Sequence, residues 1–146
     1  MHKVSVKGVL IGGIVDVCSS FLMGIPFAIF ALSKVDVAHT PKDQIGPAIM
    51  AVTRGIPWLY GAELLVGLAC SVLGGYVAGW LAKHDELLNG TLSSFLCVAL
   101  GIYSMASGKD SHAHWLQFLL LISAPVCGFC GGYLRDRQRR VRAPAV

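Results

Sequence analysis

The chain has 146 residues, of which 55% are hydrophobic and only 14% charged, with a mean hydropathy of +0.66. Soluble domains carry about 25% charged residues, so this composition excludes an ordinary soluble domain and points to a single membrane-embedded one. The net charge of +4 comes largely from the last dozen residues, so nucleic acid is not an expected partner, and no cofactor is expected.

Residues 1–7 form a short basic lead with Lys3 and Lys7. Residues 8–32 exceed the roughly 20 apolar residues that a membrane helix needs. A cleaved signal peptide is the rival reading, with Ala31 and Ser33 as small residues at a plausible spacing. Its apolar core would be too long, since such cores run about 7–15 residues, so a first membrane helix is expected. Within residues 33–56, Thr40-Pro41-Lys42-Asp43 reads as a helix start: a hydroxyl cap, Pro at the first helical position and an acid in the first turn. Ile45, Ile49, Met50 and Val52 then supply an apolar side. A short interfacial helix in the first outer loop is the expectation, with Pro47 able to break it early.

Residues 57–82 form the second membrane helix, with Trp58 and Tyr60 at one end and Tyr76 and Trp80 at the other, matching aromatic belts at both interfaces. Lys83-His84-Asp85-Glu86 is a tight charged turn. A third helix over about 87–106, a polar loop to His114, and a fourth helix over 115–134 with a kink at Pro125 complete the membrane part. A basic tail, 135–146, follows. The fold class is therefore all-α: a polytopic membrane protein of four transmembrane helices. With both termini inside, the inner side holds eight Lys and Arg residues and the outer side four, which favours N-in, C-in. The tail orients the last helix and can touch anionic headgroups.

Small residues recur at steps of four. Gly8, Gly12, Asp16, Ser20, Gly24 and Ala28 mark the first helix, and Glu63, Gly67, Ser71, Gly75 and Gly79 the second. Gly8 to Gly12, Gly75 to Gly79 and Gly128 to Gly132 are GxxxG spacings. In lipid no hydrophobic force drives helices together, so close backbone approach through such residues supplies much of the packing. A step of four advances about 40° beyond a full turn, which makes each series an inclined ridge suited to oblique crossings. The run from Cys70 to Val77 also aligns without gaps on that from Cys127 to Leu134, and Gly67 on Ala124. More weakly, Gly8 and Gly12 align on Gly90 and Ser94. Two repeated helical hairpins of the same direction are expected, with only the first keeping its acids, because Asp16 aligns on Val98 and Glu63 on Leu120.

An ionised acid at the depth of Asp16 costs roughly 2.5–3.5 kcal/mol on insertion scales. It is either part of an ion or proton relay, together with Ser20 and Glu63, or a carboxyl, ionised or neutral, hydrogen-bonded to Ser20 or to the backbone of another helix. Glu63 is nearer its helix end and can reach the headgroups or Arg54. Counted from the helix ends, the two acids lie about 14 Å apart in depth, too far for a catalytic carboxylate pair. Cys18, Cys70, Cys97, Cys127 and Cys130 all fall in apolar segments, where they are small hydrophobes rather than a disulfide framework. Cys127 and Cys130 form a CxxC that lacks further ligands for a metal. Asp110-x-His112-x-His114 shares the outer face with Asp36 and His39 as a metal-binding or pH-sensing alternative to an ordinary polar loop. Asn89-Gly-Thr91 matches a glycosylation sequon, but at a helix start Asn89 reads better as a cap.

The run Gly74-Gly75-Tyr76-Val77-Ala78-Gly79-Trp80-Leu81-Ala82-Lys83-His84-Asp85-Glu86-Leu87-Leu88-Asn89-Gly90 resembles a segment of small uncharacterised bacterial inner-membrane proteins with about four helices. The resemblance implies fold and location, and no activity. Membrane thiol oxidoreductases are similar in helix count and in a CxxC on a helix, but here the pair lies toward the inner side and a partner pair of loop cysteines is missing. Small multidrug transporters also have four helices and an acid in the first, but this chain lacks their surrounding aromatic pattern and has a much longer first loop, so Asp16 does not carry over as their coupling acid. The expected function is a non-enzymatic bundle of the bacterial inner membrane, acting as an interaction or assembly subunit, as a homo-oligomer or with a membrane-protein partner. The alternatives are a small transporter or channel using Asp16 and Glu63, and a thiol oxidoreductase using Cys127 and Cys130.

Overall fold

A computed structural model describes residues 4–106 and 114–142 of the chain. The expectations on Asp110, His112 and the side chain of His114 lie outside the described residues. In chain order the helices are α1 (Val6–Leu32), α2 (Ile45–Gly55), α3 (Pro57–Ala82), α4 (Glu86–Ser93), α5 (Phe95–Ala106) and α6 (His114–Arg142). There is no strand among the described residues. Four segments are long and apolar enough to cross a membrane: Val6–Leu32, Pro57–Ala82, Glu86–Tyr103 and Phe118–Val141.

The distribution of side chains is inverted relative to a water-soluble protein. Phe21 is 79% exposed, Leu22 70%, Leu65 68% and Ile122 70%, whereas Asp16 is 2% exposed, Glu86 4% and Asn89 0%. Water would favour the reverse arrangement; an apolar surrounding favours this one, since it penalises outward polar groups and not outward Leu or Phe.

The described chain divides into two compact units, one from the residues up to Ser19 with those from Leu68 onward, the other Ser20–Gly67. In the first, glycines set the helix spacing. A methyl added at Gly12 would lie 2.6 Å from Ala78 Cβ, and one at Gly74 would lie 2.6 Å from Asp16 Cβ, so α1 and α3 touch through backbone. A methyl at Gly90 would lie 2.7 Å from Gly128 O, and one at Gly132 would lie 2.5 Å from Glu86 O, which brings α4 onto α6. Gly75 faces Gly128 in the same way, joining α3 to α6. Side chains larger than hydrogen have no room at these crossings.

Three boundaries differ from the sequence expectation. The third apolar segment crosses as one span, Glu86–Tyr103, but carries an irregular turn at Ser94, between α4 and α5, whose backbone stays in the right-handed helical region. Ser93 Oγ donates to Gly90 O at 2.7 Å and Ser94 Oγ to Thr91 O at 3.0 Å; such back-bonding competes with the backbone ladder and bends helices. The basic tail is not separate either, because α6 continues to Arg142. Arg140 and Asp136 pair one turn apart at 2.9 Å, and Arg139 donates to Lys83 O at 2.8 Å. Finally, α2 starts at Ile45, with Gln44 as its cap and no side-chain capping bond. Thr40 Oγ1 donates instead to Asp36 O at 2.6 Å. Pro47 falls in the first turn of α2, where its missing N–H has no intrahelical acceptor to lose. The helices α1 and α6 run on through Pro26 and Pro125.

The second unit holds the end of α1, α2 and the start of α3. Phe30 meets Trp58 edge-on at 5.6 Å between ring centroids, and Lys34 Nζ lies 5.6 Å from the Phe30 ring centre. Ala31, Thr53 and Leu59 are its buried residues.

Candidate functional site

Asp16 sits at mid-depth of α1 with its backbone against Gly74 of α3. The missing side chain at Gly74 is what lets the carboxyl enter the interior. Ser71 Oγ, one turn earlier on α3, donates to Asp16 Oδ1 at 3.2 Å. Cys97 Sγ, on α5, donates to Asp16 Oδ2 at 3.0 Å. Each carboxyl oxygen therefore accepts a bond from a different helix, and the group is closed off, 2% exposed. Ser19 Oγ adds a bond to Asp16 O at 3.1 Å. The expected partner Ser20 is replaced by Ser71 and Cys97. An acid so arranged joins three helices, accepting one bond from a hydroxyl and one from a thiol.

A second polar cluster closes one end of the same unit. Ser5 caps α1, its Oγ accepting Gly8 N–H at 3.2 Å. Ser5 N–H in turn donates to Asn89 Oδ1 at 2.7 Å, while Asn89 Nδ2 donates to His84 O and Asp85 O at 3.0 Å each. Asn89 is thus inside α4 rather than its cap, and it ties the start of α1 to the 83–85 turn. That turn holds two left-handed residues, Lys83 with φ 59° and Asp85 with φ 45°. Lys83 N–H bonds Gly79 O at 3.3 Å, which ends α3 in the left-handed cap usually made by Gly. Arg139 reaches from α6 to both Lys83 O and the buried Glu86 carboxylate. His84 Nδ1 is buried without a partner.

Sequence reasoning passed over Glu86, Asn89, Ser93 and Ser94 as a set. The signal was present: Glu86, Asn89, Gly90, Ser93, Ser94 and Cys97 recur at helical spacing, a small and polar stripe in an apolar segment. The remaining candidates are scattered. Glu63 is exposed on α3, in the second unit. Cys127 is half-buried and Cys130 exposed on α6. Among the described residues no group of three or more His, Cys, Asp or Glu could hold a metal ion. Of the glycines predicted to pack helices, Gly8, Gly12, Gly75, Gly79, Gly128 and Gly132 have neighbours where a methyl would stand, whereas Gly24 and Gly67 face open space.

No family model, curated protein or solved structure matches the chain.

Proposed function

We propose that the protein is a non-enzymatic integral membrane subunit whose intramembrane acid is architectural. The observation that carries this reading is the closure of Asp16. A relay group needs an open side for water or an ion, and here both oxygens are occupied by Ser71 and Cys97 in a site 2% exposed. A carboxyl in that state holds helices together, as polar side chains do between membrane helices.

The interaction surface lies in the other unit. Gly24, Gly61 and Gly67 have no neighbour within 4 Å of an added methyl, and Glu63 is exposed one turn from Gly67. Small residues left open in apolar helices admit the backbone of a further helix, either from a second copy or from another membrane protein. On this reading α2 lies at the membrane interface, the chain threads N-in and C-in through a bacterial inner membrane, and the two helical hairpins are repeats that diverged at Asp16.

The test is Asp16→Asn in the full chain reconstituted into liposomes. Wild type and variant should show the same proton flux as protein-free vesicles. A flux in wild type that the substitution abolishes would replace this reading with a transporter.

A further inference from the structure

The end of the first unit that carries Ser5 and Arg139 has a charge imbalance that the fold itself produces. Hydrogen bonds bring three separate segments together there: Ser5 to Asn89, and Arg139 to Lys83 O. Among the residues whose side chains are described, the segments contribute six cations (Lys7, Lys83, Arg135, Arg137, Arg139, Arg140) against three acids (Asp85, Glu86, Asp136), an excess of three. Glu86 is taken by Arg139 and Asp136 by Arg140, both internally. Among the described residues Lys7, Lys83 and Arg137 make no ion pair, and all three are exposed.

Their depth is marked independently. Trp80, Tyr133 and Leu134 are 53%, 48% and 46% exposed, and they precede Lys83 and Arg135 by one turn or less on α3 and α6. Outward aromatic residues at the end of an apolar helix sit at the headgroup level, so the unpaired cations lie where lipid phosphates are. The helical continuation of α6 matters here, because it holds Arg135 and Arg137 in the same helix as Arg139, which bonds Lys83 O, instead of leaving them on a loose tail.

We infer that Lys7, Lys83 and Arg137 hold the phosphates of anionic lipid headgroups around one end of the first unit, at the start of α1, the 83–86 turn and the end of α6. It goes beyond the assembly role above and requires only that the chain be embedded in a membrane. Each cation at such a surface strengthens binding roughly five-fold.

The experiment counts lipids retained by the full chain in native mass spectrometry after extraction from vesicles containing equal phosphatidylglycerol and phosphatidylcholine. Wild type should retain phosphatidylglycerol several-fold over phosphatidylcholine. The triple variant Lys7→Gln, Lys83→Gln, Arg137→Gln should lose most of that preference, and Arg137→Gln alone roughly five-fold. The triple variant Lys34→Gln, Lys42→Gln, Arg54→Gln, of the same charge change in the second unit, should retain it. Inorganic phosphate at millimolar concentration should not displace the lipid. Equal retention of the two lipids by wild type, an unchanged preference in both the first triple variant and Arg137→Gln, or an equal loss in the second triple variant would overturn the inference. Displacement by inorganic phosphate would assign these cations to the free anion instead and overturn the lipid assignment.

Discussion

Asp16 is held by donors of unequal strength, a hydroxyl from Ser71 and a thiol from Cys97, and a thiol is the weaker of the two. An amide at this position keeps one acceptor and the shape. Asp16→Asn should therefore cost about 0.5–1.5 kcal/mol, read as a shift in the SDS-unfolding midpoint in detergent micelles. Asp16→Leu strands both donors and overfills the space against Gly74, adding roughly 1–3 kcal/mol. Glycines divide in the same assay. At Gly12 an added methyl meets Ala78 Cβ at 2.6 Å, and at Gly24 it meets nothing within 4 Å. Gly12→Val should destabilise by about 1–3 kcal/mol, whereas Gly24→Ala should be neutral or stabilising by up to about 1 kcal/mol. At this scale the sequence made Asp16 visible, because an acid in an apolar run is rare. Its partners were not visible: Ser71 and Cys97 lie 55 and 81 residues away, and nothing local in Ser or Cys declares what it faces.

Between α3 and α4 the chain turns through two left-handed residues that are not Gly. Such a conformation costs an L-residue about 1–2 kcal/mol, so Lys83→Gly should raise stability in micelles by roughly 0.5–1 kcal/mol. No change or a loss would mean that the Lys83 side chain contributes more than its backbone costs. On the other side of this turn, Arg139 binds a Glu86 side chain that is 5% exposed, while its own is 54% exposed. Arg139→Ala leaves the acid without its cation and should cost about 1–3 kcal/mol. Amide hydrogen exchange over residues 135–142 should rise roughly ten-fold, since the end of α6 loses its anchor; exchange equal to wild type would show that this end is held by something else. The length of α6 was hidden in the sequence by composition. Arginine-rich stretches read as solvated tails, and only the tertiary contacts of Arg139, with the local pair Asp136–Arg140, decide for helix. The irregular turn at Ser94 was hidden for a similar reason, since it combines the hydroxyls of Ser93 and Ser94 with the close approach of Gly128.

Across the whole chain the four apolar segments follow from length and hydropathy alone, because backbone groups in lipid must bond within a helix and about 20 residues are needed to cross. The inverted burial, with Asp16, Glu86 and Asn89 inside and Phe21, Leu22 and Ile122 outside, is the same physics seen from the side chains. Function is less legible, since small residues serve equally for folding within a chain and for docking between chains. The two uses separate once neighbours are known: Gly12, Gly74, Gly75 and Gly128 are occupied, and Gly24, Gly61 and Gly67 are open. The proposed role as an assembly subunit stands on the open set. Its most direct test is a photo-crosslinking residue placed at Gly67, and separately at Gly12, in the full chain in native membranes. A crosslink from Gly67 to one constant protein, a second copy or another membrane protein, with only intramolecular adducts from Gly12, is the expected result. Lipid adducts and monomer alone from Gly67 would contradict it.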